Sequence, residues 1–134
     1  GSSRALVVHG ADGLDEVTIT DVTHFASLEN GQVTEGQIAP EDAGVNRARL
    51  ADIKGGTAAD NAQALKHLFG GGKGPYRDIV LLNAGAALMV SGLTKDIKEG
   101  VELAAQALDG GAAGAKLDAL IVASNRTAPV GHLK

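Results

Sequence analysis

The chain has 134 residues, of which 44% are hydrophobic and 21% charged, with a net charge of -4 and no cysteine. That length suits one domain with a modest core, and the missing thiols exclude disulfides, cysteine nucleophiles and thiolate metal sites. Lys and Arg are spread along an acidic chain, which argues against a nucleic-acid surface. The longest apolar-rich stretch, 79–90, is interrupted by Asn83 and too short to span a bilayer. With no signal-peptide pattern in the first residues, the cytoplasm is the expected location.

Residues 5–8 form an uninterrupted apolar run that stops at His9 and Gly10, which predicts a buried strand. So strong a strand this close to the first residue suggests that the sequence starts inside a larger protein. The loop beyond it is punctuated by Gly10 and Gly13 and holds three acids, Asp12, Asp15 and Glu16. A strand that delivers carboxylates to its C-terminal end is a common way for an α/β protein to present a metal or phosphate site. Residues 17–20 alternate apolar and polar and read as a short, half-exposed strand. Asn30-Gly31 is a strong hairpin signal, because both positions of a type I′ turn favour positive φ, so 17–38 is expected to be a small antiparallel excursion.

Pro40-Glu41-Asp42 opens a short helical turn before a loop. Thr57 and Asp60 then form a capping pair for a helix whose apolar face is Ala58, Ala62, Leu65, Leu68 and Phe69. Residues 76–90 read as a buried helix, with Gly85 at a close helix crossing and Asn83 in need of hydrogen-bond partners. Asp96 and Glu99 cap the next helix, which buries Ile97, Val101, Ala104 and Leu108 and ends at Gly110. The last segment, 112–124, is helical by spacing, although residues 120–122 also suit a strand, so 57–124 is expected to be mainly helical.

The acidic loop allows two readings. Asp15 and Glu16 would face opposite ways on a strand, but in a loop after Gly13 both can turn to one ion, and hard carboxylate oxygens suit Mg²⁺; the alternative is a solvated turn. His9, at the strand end, is expected to be packed and hydrogen-bonded. The glycines at 70–74 with Lys73 lack the order of a phosphate loop and follow a helix, which makes them a helix stop.

These residues resemble a known family. The stretch 4–16 is similar to the Val-His-Gly-x-Asp-Gly-Leu-Asp-Glu signature of the anthranilate phosphoribosyltransferases. The similarity continues through Asn30-Gly31, Pro40-Glu41-Asp42, Gly55-Gly56 before Asn61-Ala62, residues 77–84 and residues 99–110; residues 126–134 match less clearly. The resemblance implies the C-terminal part of a nucleoside-phosphorylase/phosphoribosyltransferase-like α/β domain. It would supply one central strand of a parallel sheet, a small antiparallel hairpin and about four helices.

It also implies an activity: transfer of the 5-phosphoribosyl group from 5-phosphoribosyl 1-pyrophosphate to the amine of anthranilate, in tryptophan biosynthesis. In that reading Asp15 and Glu16 hold Mg²⁺, while His9, Gly10, Asp12 and Gly13 shape the loop. The glycine loop for pyrophosphate, the anthranilate-binding residues and the N-terminal helical domain that carries the family's homodimer contacts would all lie outside these 134 residues. A related nucleoside phosphorylase, or a non-catalytic piece of the transferase, are the alternatives.

Overall fold

The computed structural model describes residues 1–126. Three strands, β1 (Arg4–Gly10), β2 (Thr23–Glu29) and β3 (Gln32–Ile38), form one antiparallel sheet in the order β1-β2-β3. Two 3₁₀ turns, Pro40–Ala43 and Leu50–Asp52, lead to four helices: α1 (Ala58–Phe69), α2 (Pro75–Val90), α3 (Ile97–Asp109) and α4 (Ala112–Ser124).

The β2–β3 hairpin turns where local chemistry directs it. Asn30 and Gly31 have φ of 52° and 77°, the left-handed pair that a type I′ turn requires. Register follows from that turn, Glu29 facing Gln32 and Thr23 facing Ile38. β1 extends this hairpin: Arg4 pairs with Glu29 and Gly10 with Thr23.

Among the described residues β1 is an edge strand whose one partner is the antiparallel β2, and its other edge is open to a further strand. Residues 11–22 return the chain alongside β1 in the opposite direction, and a connection of that length without a crossover helix yields an antiparallel partner. Leu6 and Val8 are consequently only half-buried. With Ala86, Ala87 and Val90 they line an open, largely apolar groove of about 400 Å³.

Two apolar clusters hold the layers together. The larger gathers Val17, Ile19, Ile38, Ala43, Val45, Ile79, Leu82, Ala86 and Ile97, so that the loop after β1, the end of β3 and one side of α2 share a core. The smaller joins Leu68 of α1, Leu81 of α2 and Ala104 and Leu108 of α3. In α1 the expected apolar face is only partly used, since Ala58 and Ala62 are exposed while Leu68 is buried. The helix is started by a capping box in which Thr57 Oγ1 accepts from the Asp60 N–H and the Asp60 carboxylate accepts from the Thr57 N–H. α4 is a helix throughout, including residues 120–122, and buries none of its residues. Among the described residues no helix is long and apolar enough to cross a membrane. The terminal residues 127–134 of the less clearly matching stretch lie outside the described residues.

Candidate functional site

The candidate site is the loop that joins β1 to β2. Its first turn closes on itself, as the Gly10 N–H donates to Leu14 O at 2.9 Å and the Gly13 N–H to Gly10 O at 2.9 Å. Gly10 is buried, and a Cβ there would lie 3.2 Å from Thr18 Cγ2 and closer still to the Asp12 carboxylate, so only glycine fits. Gly13 has φ of +94°, a left-handed angle that disfavours any side chain.

Asp12 is the knot of this turn. One carboxylate oxygen accepts from the Leu14 N–H at 3.1 Å, and the other accepts from the Thr18 hydroxyl at 2.6 Å and from the Thr20 hydroxyl. Burial alone would raise its pKa; the hydrogen bonds from Thr18, Thr20, Leu14 and its own N–H outweigh this and hold the carboxyl below its ordinary value. An ionised carboxylate with this many donors is a structural anion and a poor proton acceptor.

Residues 17–20 are not the half-exposed strand that their alternation predicts. Val17 is 2% exposed, and Thr18 and Ile19 are completely buried. Their backbone groups are satisfied by side chains and a neighbouring loop in place of a strand ladder. The Thr18 N–H donates to Thr23 Oγ1 at 2.9 Å, and Ile19 O accepts from the Ala48 N–H at 3.0 Å. Val17 is held by Asn83 of α2, whose side-chain oxygen accepts from the Val17 N–H at 2.9 Å while its Nδ2 donates to Val17 O at 2.8 Å. Period-two alternation misleads here because Thr18 is buried as a hydrogen-bonding side chain and not turned to solvent.

Asp15 and Glu16 lie between the two anchors, Asp12 before them and Val17 after them. Both are exposed, and among the described residues neither carboxylate makes a hydrogen bond or an ion pair. Partial burial, and then the neighbouring charge of Asp15, raise the Glu16 pKa above its ordinary value. A cation would relieve that repulsion. The described residues contain no group of three or more His, Cys, Asp or Glu able to hold a metal by themselves. Two free hard-oxygen donors with room for water and phosphate oxygens fit Mg²⁺, which is usually bound through one or two carboxylates plus substrate phosphates.

His9 is exposed and its imidazole makes no hydrogen bond among the described residues, so the packed side chain expected from the sequence is not formed. The reason is strand parity. Leu6 and Val8 turn inward to the core, which sends Val7 and His9 to the outer face beside Ala26 and His24. Three participants escape a motif search: Thr18, Thr20 and Asn83. The only sequence signal for Asn83 is a polar amide inside an otherwise apolar helix, and Thr18 and Thr20 carry none beyond their nearness to Asp12.

A mixed α/β domain with an acidic loop directed outward from the end of a strand has a common arrangement for a metal or phosphate site. Residues 1–114 match the glycosyl transferase family, a/b domain, and the chain belongs to that family. It is 56% identical over 126 residues to the anthranilate phosphoribosyltransferase of Methylocella silvestris, covering 94% of this chain and 36% of that protein. Its fold is similar to the crystal structure of anthranilate phosphoribosyltransferase from Thermus thermophilus, with a TM-score of 0.80, 37% identity, and coverage of 89% of this chain and 35% of the other. A serine-to-alanine variant of the Saccharomyces cerevisiae enzyme with Mg bound gives a TM-score of 0.77 and 26% identity, over 86% of this chain and 34% of the other. The chain thus spans about a third of the length of the relatives it matches.

Proposed function

We propose that this chain works as part of an anthranilate phosphoribosyltransferase, carrying the metal-binding loop for transfer of a 5-phosphoribosyl group from 5-phosphoribosyl 1-pyrophosphate to the amine of anthranilate. The observation that carries this reading is the exposed, unpartnered pair Asp15 and Glu16, held between two hydrogen-bonded anchors in a chain of this family. The Mg-bound yeast relative supports the choice of metal. On this reading the reaction takes place in the cytoplasm, and the chain functions within a homodimer.

In the reaction the bond between the ribose C1 and the pyrophosphate oxygen breaks, a bond from C1 to the anthranilate nitrogen forms, and that nitrogen releases one proton. Negative charge develops on the departing pyrophosphate and positive charge on the ribose. A bound Mg²⁺ would neutralise the former. Asp15 and Glu16 would hold that ion, and their role is electrostatic. Asp12, ionised and engaged by Thr18, Thr20 and Leu14, keeps the turn from relaxing and takes no proton. His9, without a partner to orient it, is assigned no step.

The test is an isothermal titration of the chain with 5-phosphoribosyl 1-pyrophosphate, with and without Mg²⁺, beside an Asp15→Ala/Glu16→Ala variant. Magnesium-dependent binding that disappears in the variant is the expected result. Binding that ignores magnesium, or that survives the double substitution, would overturn the assignment.

A further inference from the structure

We propose that Asn83 is a positioning residue for the Asp15–Glu16 pair, setting the direction of the Glu16 carboxylate from the opposite layer of the fold; the proposal rests on the metal-binding reading of that pair. Asn83 lies in α2, 66 residues along the chain from Val17, yet it matches both backbone groups of Val17, accepting at 2.9 Å and donating at 2.8 Å. Its second Nδ2 hydrogen goes to Ile79 O at 3.0 Å, one turn back in its own helix. Both amide donors are therefore in use, and reversing the amide would set NH₂ against N–H and oxygen against oxygen. The arrangement has one orientation.

Val17 is the residue immediately after Glu16 and belongs to no strand, so Asn83 does for its backbone what a neighbouring strand would otherwise do. At 2% exposure, water cannot take over. On the other side of the pair the Asp12 carboxylate holds the Leu14 N–H. Asp15 and Glu16 are thus the two free residues between fixed ends, and releasing Val17 lets the peptide that carries Glu16 rotate. Metal ligands depend on such orienting partners, whose loss commonly weakens affinity about 10- to 100-fold.

The test uses the whole chain and Mn²⁺, a hard-ligand probe for the magnesium site, with affinity read by electron paramagnetic resonance and backbone protection by amide hydrogen exchange at Val17. Four variants are compared with the parent: Asp15→Ala/Glu16→Ala, Asn83→Leu, Asn83→Asp, and Leu81→Ala as a control for general destabilisation in the smaller core cluster. Asn83→Leu keeps the branched shape and the number of side-chain heavy atoms and loses every side-chain hydrogen bond. Asn83→Asp keeps the acceptor for the Val17 N–H and is the fallback if the leucine variant does not fold.

The expected result is Mn²⁺ binding by the parent, its loss in the double alanine variant, about tenfold or greater weakening in Asn83→Leu with faster exchange at Val17, and a smaller weakening in Asn83→Asp. Leu81→Ala should keep the parent affinity. Parent-like Mn²⁺ affinity in folded Asn83→Leu or Asn83→Asp overturns the proposal and leaves the metal-binding reading standing. Equal weakening in Leu81→Ala overturns it also, because stability alone would then explain the loss. A parent that binds no Mn²⁺, or a double alanine variant that binds as well as the parent, overturns the metal-binding reading and this proposal with it.

Discussion

Gly85 of α2 and Gly100 of α3 meet backbone to backbone where the two helices cross. A Cβ on Gly100 would lie 2.8 Å from Gly85 Cα, and one on Gly85 would lie 2.7 Å from Val101 N. Alanine is the better helix former by roughly 0.5–1 kcal/mol, but the obstacle here is backbone, which cannot swing aside as a side chain could. Gly100→Ala is expected to destabilise the fold by about 1–3 kcal/mol, the usual range for overpacking. An unchanged urea midpoint would show that the helices are not in this contact.

Asp12→Asn tests the knot of the acidic loop. The Asp12 pKa is depressed in the folded state, so its contribution is present above the unfolded value of 3.8 and is lost as pH falls through the lower folded value. The variant should be less stable at pH 7 by about 1.5–3 kcal/mol, the scale of a lost hydrogen bond to a charged group. Parent and variant should converge as acid protonates Asp12. A difference that stays constant down to the lowest pH would contradict the assignment.

Glu16→Gln should have the opposite sign. With a folded pKa raised by partial burial and by Asp15, ionisation of Glu16 works against the fold once pH exceeds the unfolded value, and the effect is complete above the folded one. The variant should melt slightly higher than the parent near neutral pH and at the same temperature well below pH 4.5, the ordinary value of the group. It should also lose Mg²⁺ affinity. Gain of stability with loss of metal is the pattern of a functional acid; a lower melting temperature at neutral pH would count against it.

The pairing of Arg77 with Asp109 predicts a double-mutant result. Arg77 is 7% exposed and donates from Nη2 to Asp109 Oδ2 at 2.8 Å, while Nη1 has no partner among the described residues. Asp109→Ala leaves a buried guanidinium without its counter-charge and should lower the melting temperature. Adding Arg77→Met removes the stranded charge and should restore most of the loss. If the double variant melts lower than Asp109→Ala alone, the guanidinium has another role.

What could be read from the sequence is what short-range chemistry determines. Asn30-Gly31 adopts the positive φ pair that the dipeptide favours, Thr57 and Asp60 cap α1, and the Asp96 carboxylate accepts from the Glu99 N–H to start α3. Three features depend on how separate segments pack together and could not be read from spacing. The pairing of β1 follows from where residues 11–22 lead the chain. The burial of Thr18 rests on Asp12 and Thr23, and the outward turn of His9 on which strand face meets α2. Within the acidic loop the sequence shows which residues carry charge. It does not show that Asp12 is occupied by Thr18 and Thr20 while Asp15 and Glu16 are left free.

The bond between Val17 and Asn83 also imposes an order in time. At a synthesis rate of about 5–20 residues per second, Asn83 is made on the order of several seconds after Val17. During that interval the β2–β3 hairpin and the Asp12 hydrogen bonds to Leu14, Thr18 and Thr20 have all their residues, whereas the backbone groups of Val17 have no partner. The nascent chain therefore emerges with one end of its acidic turn unfixed, and the Glu16 side of that turn acquires its final shape only when α2 arrives to receive it.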